Sequence, residues 1–123
     1  MTPSLELKIA KMVYAITKAE DSPREWNNPG DLTGEDSAGF PTDGTMNAAG
    51  VWKFVNAADG AAALTIKVQR MLTGCSKVYP LSTTMMQLAV KYTGGDNPAS
   101  WAYVVCHELG TEANTTLQEY VNS

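Results

Sequence analysis

Residues 15–32 read AITKAEDSPREWNNPGDL, and the chain changes character inside this stretch: an apolar helical stripe gives way to turn formers, with Glu20 at the junction. Upstream, Leu5, Ile9, Met12, Val13 and Ile16 recur at spacings of three and four, which places them on one helix face suited to burial. Thr2 followed by Pro3 predicts the start of that helix, because the hydroxyl caps free amides and proline suits the first helical position. Glu20 continues the stripe, on the same face as Val13 and Ile16. Downstream, residues 21–50 are dense in Asp, Asn, Pro, Gly and Ser, which predicts an irregular loop with a short hairpin over 42–50. A loop of that length within a compact domain usually serves a function.

Beyond the loop, Trp52 and Phe54 alternate with Val51, Lys53 and Val55, the pattern of a short strand. Asn56 with Asp59 resembles a helix cap, and Leu64, Val68 and Met71 then form a helical stripe closed by Gly74. Ser82 is read as the next cap, ahead of Met85, Leu88, Ala89 and Tyr92 on one face and a stop at Gly94 and Gly95. Asn97 and Pro98 start a fourth helix with Trp101, Val104 and Val105 inward and Gly110 as its end. A short helix after Asn114 buries Leu117, Tyr120 and Val121. No repeat or linker interrupts this series, so residues 1–123 read as a single, mainly α domain whose helices pack around a central pair.

A chain of 123 residues suits one core, and 44% apolar with 18% charged residues is ordinary globular usage. Apolar runs such as that around Tyr103, Val104 and Val105 fall far short of the ~18 residues a membrane span needs, so no membrane insertion is expected. Glu6, Lys8 and Lys11 interrupt the amino-terminal pattern, so no secretory signal is expected, and a target outside the cytoplasm would require another route of delivery. The net charge of −4 and the lack of a basic cluster along the sequence argue against nucleic acid as a partner. Cys75 and Cys106 match neither a redox pair nor a zinc set and are read as buried free thiols. His107, the one histidine, excludes a histidine-rich metal site and is read as structural or exposed.

A carboxylate on the buried face at the end of a helix is disfavoured when ionised, both by desolvation and by the partial negative charge of the helix terminus. Both effects raise the pKa of Glu20 towards that of a proton donor at neutral pH. The other reading is a side chain that frays into solvent.

Together with residues 15–32, the segments FVNAADGAAAL (54–64), Lys91 with Tyr92, SWAYVVCHELG (100–110) and TTL (115–117) resemble phage-associated lysozyme-like proteins related to soluble lytic transglycosylases and goose-type lysozymes. The resemblance runs over nearly the whole chain. It implies a lysozyme-like helical domain with a long irregular loop and a short β-hairpin beside a cleft. It also implies a peptidoglycan-cleaving glycosidase that breaks the β-1,4 bond between N-acetylmuramic acid and N-acetylglucosamine, with Glu20 as general acid. Asn27, Asn28, Pro29 and Gly30 would shape one side of the sugar cleft, the asparagine amides either bracing the loop or addressing sugar hydroxyls. Tyr92 matches the family's substrate-positioning tyrosine, although its place in the Met85 stripe favours the core. Of Trp26, Trp52 and Trp101, one would line the cleft, and Trp101 is the candidate.

Two residues depart from the family pattern: Asp21 stands where it has glycine, and Asp31 where it has asparagine. The added charge would raise the pKa of Glu20, supply a second carboxylate, or mark a loss of activity. Asp31 is kept as a substrate-binding candidate, whereas Glu35, Asp36 and Asp43 are read as solvated. With no second carboxylate in a fixed position, a lytic transglycosylase is favoured over a hydrolase. The implied partner is the peptidoglycan glycan strand at the cell wall or in the periplasm, met by a monomer without metal or cofactor. The alternatives are a non-catalytic glycan-binding or phage structural module with the same fold, and a helical regulatory or toxin domain unrelated to sugars.

Overall fold

The Thr2 hydroxyl accepts the Leu5 amide at 3.2 Å and Pro3 opens helix α1 (Pro3–Glu20). The computed structural model describes residues 2–123, except the side chains of Gly34 and Glu35, so the reading of Glu35 lies outside the described residues. Ile9, Met12, Ala15 and Ile16 form the buried face of α1, with Leu5 and Val13 packed at its edge. The helix stops at Asp21, whose left-handed φ of 46° turns the chain while its amide donates to the Thr17 carbonyl at 3.1 Å.

After two 3₁₀ turns (Arg24–Trp26 and Gly34–Ser37), strands β1 (Thr42–Met46) and β2 (Trp52–Phe54) pair antiparallel. Thr42 faces Phe54 and Met46 faces Trp52, with an irregularity in register between them. The hairpin therefore takes in the strand read separately over 51–55. Its first strand is exposed, whereas Phe54 is fully buried and anchors the second in the core.

Helices α2 (Ala57–Leu72), α3 (Met85–Thr93), α4 (Pro98–Leu109) and α5 (Leu117–Asn122) follow. Asn56 caps α2 by accepting the Asp59 amide at 2.9 Å. One cap differs from the reading of the sequence. Thr84, not Ser82, caps α3: its hydroxyl accepts the Gln87 amide at 3.1 Å and the Gln87 side chain accepts the Thr84 amide at 2.9 Å. The last helix opens with the same reciprocal arrangement at Thr116 and Glu119. Reciprocity satisfies two otherwise unpaired amides, which a serine two residues upstream of Thr84 does not do. The two caps are also laced together, Met85 donating to the Thr115 carbonyl at 2.8 Å and Leu117 to that of Thr83 at 2.9 Å.

The molecule is thus mostly helical with one small antiparallel sheet among the described residues. Helix α1 packs most extensively on α4, which also carries α3, and less extensively on α2. Met12, Ile16, Leu64, Val68, Met71, Leu88, Val105 and Leu117 meet in the core without solvent exposure. Each such side chain contributes roughly 1.5–3 kcal/mol by leaving water. Cys106 is a buried free thiol as expected, but Cys75 is exposed, because α2 has ended at Leu72 and Gly74 turns the chain outward at φ 76°. His107 is exposed and stacks on Tyr103 with ring centroids 6.0 Å apart. No described helix is long and apolar enough to cross a membrane.

Candidate active site

The loop after α1 is shaped by its asparagines. Asn28 is buried, and its amide nitrogen donates to the carbonyls of Leu32 at 3.0 Å and Trp52 at 2.8 Å while its oxygen accepts the Leu32 amide at 2.8 Å. Asn27, in the left-handed region at φ 54°, donates to the Phe54 carbonyl at 3.1 Å. Both amides brace the loop against β2.

Two glycines let that loop lie close to the helices. A Cβ on Gly60 would stand 1.6 Å from the Asn27 carbonyl oxygen, so only glycine lets α2 approach there. A Cβ on Gly30 would fall 2.6 Å from Leu64 Cδ1 and 3.1 Å from the Tyr92 hydroxyl. Tyr92 donates to the Gly30 carbonyl at 2.6 Å, which fixes the loop to α3.

From Tyr92 the contacts lead back to α1. Its ring stacks on Trp101 of α4 with centroids 5.1 Å apart, and the Trp101 Nε1 donates to Glu20 Oε1 at 2.9 Å. Helices α1, α3 and α4 and the asparagine loop thereby converge on one carboxyl group. Tyr92 is neither wholly core nor wholly surface: its hydroxyl end is buried, which raises the phenol pKa well above its ordinary value, while the residue borders a cleft.

That cleft has a volume of about 280 Å³ and is lined by Glu20, Asp31, Tyr92, Asp96, Ser100 and Trp101 among others. Glu20 is half-buried in it, and its pKa is pushed up to about 7. Burial is the main cause; the Trp101 hydrogen bond opposes it, the Asp31 charge adds to it, and the Lys67 charge opposes it. Asp31 itself sits at φ 54°, accepts the Ser22 hydroxyl at 3.4 Å and is raised by burial, with the serine opposing.

Asp21 and Asp31 thus separate. Asp31 lines the cleft, while Asp21 is the exposed residue that ends α1. Trp101 borders the cleft although only 5% exposed; Trp26 and Trp52 are half-buried and do not line it. Asp36 keeps 42% side-chain exposure, in line with the solvated reading, and also pairs with Lys67 at 2.7 Å because α2 presents that lysine beside the loop. Asp43 is exposed and reaches Lys53 at 3.5 Å.

Three participants were not identified from the sequence. Asp96 and Ser100 reach the cleft from the α3–α4 turn and the start of α4, a segment read only as a helix stop and start. Lys67 places its ammonium 4.7 Å from the Tyr92 ring centroid. Its spacing from Gly60, Ala63 and Leu64 already set it on the face of α2 that meets the loop. No group of three or more potential metal-ligating side chains occurs among the described residues. No protein-family model, curated protein or solved structure significantly matches this chain.

Proposed function

We propose that this protein is a peptidoglycan-cleaving glycosidase on a lysozyme-like scaffold, with Glu20 as its general acid and base. The observation that carries the reading is the Glu20 carboxyl itself, half-buried at the end of α1 in a cleft and held near pKa 7. A group titrating there is populated in both forms at neutral pH, so it can give a proton and take one back.

In this mechanism the protonated Glu20 donates to the glycosidic oxygen as the bond to the muramic acid C1 breaks. The resulting carboxylate then removes the proton from that sugar's 6-hydroxyl, whose oxygen closes on C1 to give a 1,6-anhydro end. General acid catalysis of this kind supplies about a hundred- to ten-thousand-fold. Trp101 orients the carboxyl through its indole N–H, and Tyr92 holds the loop that forms the opposite wall. Asp31 and Asp96 are the other acids of the cleft lining, and either would stabilise positive charge developing on the sugar ring when ionised.

The test is turbidity clearing of purified cell walls with mass analysis of released muropeptides, using the parent and Glu20→Gln. Clearing by the parent with anhydro ends, lost in the variant, supports the transglycosylase. Reducing ends indicate a hydrolase instead. An inert parent that still sediments with walls indicates the non-catalytic glycan-binding module, and one that neither binds nor cuts overturns the glycan reading.

A further inference from the structure

Tyr92 also lines a second, larger cavity of about 610 Å³, so this cavity and the Glu20 cleft share a wall. Its lining includes Lys67, Arg70, Lys77 and Lys91, four of the nine Lys and Arg residues of a chain whose net charge is −4. Among the described residues Asp36 is the one acid in that lining, and it is engaged by Lys67 at 2.7 Å. Lys91 donates to the Val78 carbonyl at 3.0 Å, while Arg70 and Lys77 are exposed and form no ion pair among the described residues. Counted over the described residues, one carboxylate among four cations gives a concavity of positive potential on an acidic protein, which selects an anionic ligand. Val78, 51% exposed, adds an apolar surface to that lining, whereas the stacked rings of Tyr79 and Tyr92 lie beneath the Lys67 ammonium. A bare inorganic anion has no use for that surface; a short peptide ending in a carboxylate uses both features.

We propose that this cavity binds the carboxylate end of the short peptide carried by the glycan strand, with Arg70 and Lys77 as the residues that recognise it. The proposal rests on the glycan reading for one point, the adjacency that lets a strand in the Glu20 cleft deliver its peptide past Tyr92. Arginine provides a planar fork for a carboxylate and lysine a mobile point charge, so the pair accommodates ends of differing reach.

Cys75 lines the same cavity and is exposed, whereas Cys106 is buried, which makes the rate of Cys75 alkylation a local reporter. The probe is the N-acetylated wall tetrapeptide alanyl-γ-glutamyl-lysyl-alanine with free carboxylates, assayed by calorimetry and by protection of Cys75 in the full chain. Binding is expected to weaken with salt and to fall about tenfold in the double variant Arg70→Gln, Lys77→Gln. Binding of the N-acetylglucosamine tetramer should stay unchanged in that variant. The proposal is overturned if the tetrapeptide with amidated carboxylates binds equally well, if inorganic phosphate protects Cys75 to the same degree, or if the double variant binds like the parent. Tetramer binding without tetrapeptide binding removes this proposal and leaves the glycan reading. Tetrapeptide binding without tetramer binding supports the pocket and removes the glycan reading.

Discussion

The indole Nε1 of Trp101 donates to Glu20 Oε1 at 2.9 Å, joining the ends of two helices that pack along each other at the centre of the molecule. The bond stabilises the ionised carboxylate, so it works against the burial that raises the Glu20 pKa. Trp101→Phe keeps an aromatic ring beside Tyr92 but removes the donor. The Glu20 pKa should then rise above about 7, and the alkaline limb of the activity profile should move to higher pH with it. Titration of the Glu20 carboxyl carbon by NMR measures this directly, and a shift to lower pH would contradict the assignment.

Stability should depend on pH through the same group. In the unfolded chain the Glu20 carboxyl ionises near 4.5, and in the folded protein near 7. Between those values the native state keeps a proton that the unfolded state has released, so each rise in pH favours unfolding until the folded group also ionises. The full shift corresponds to an upper bound of about 3 kcal/mol. Solvent screening of a half-buried side chain reduces this to roughly 1–2 kcal/mol. Glu20→Gln should therefore stabilise the protein by that amount at pH 8 and change it little at pH 4, as urea denaturation at the two pH values can measure.

The helices were legible because each carries its own punctuation. Thr2 with Pro3 and Asn97 with Pro98 mark starts, Gly94 and Gly110 mark ends, and the stripes between them point to one core. The position of Glu20 on the α1 stripe was legible for the same reason. The far side of the cleft was not, because it depends on where a loop and a turn settle in space. Asp96 has no periodic neighbours that reveal its direction, and the pairing of Lys67 with Asp36 joins residues far apart in the chain. The reading of Ser82 as a cap failed because serine and threonine have similar local preferences, and the cap is Thr84. The deciding partner was Gln87, three residues beyond Thr84.

Gly60 should tolerate no side chain. Gly60→Ala forces a Cβ into the Asn27 carbonyl, a contact of 1.6 Å with backbone that a rotamer change cannot relieve. The loop must move off α2, and the expected cost is about 3 kcal/mol or more. Gly44→Ala is the control: its φ of 85° is unfavourable for alanine, but no atom lies within 4 Å of the added carbon. That substitution should cost only about 1–2 kcal/mol. Near-equal losses in chemical denaturation would contradict the close approach of loop and helix.

Asn28→Ala removes three hydrogen bonds at once and leaves the Leu32 amide and the Leu32 and Trp52 carbonyls without that partner. The expected loss is about 3 kcal/mol. Asp at the same position keeps the acceptor for the Leu32 amide but loses both donations, so it should rescue stability only in part. Equal stability of parent and alanine variant would remove Asn28 from its bracing role.

Tyr92→Phe separates holding the loop from tuning the acid. The hydroxyl bond to the Gly30 carbonyl, 2.6 Å long, ties α3 to the loop opposite Glu20, whereas the stack on Trp101 belongs to the ring and survives. Burial and the Glu20 charge hold the Tyr92 phenol well above its ordinary pKa, so it stays neutral where Glu20 titrates and adds no charge beside the carboxyl. The phenylalanine variant should therefore lose about 1 kcal/mol of stability and exchange the amides of the asparagine loop faster, with the Glu20 titration unmoved. Trp101→Phe should do the reverse at the acid, moving the titration through loss of the indole donor. If Tyr92→Phe shifted the Glu20 pKa as far as Trp101→Phe does, the loop and the acid would be coupled through the stacked rings, and the separate roles given to the two aromatic residues would fail.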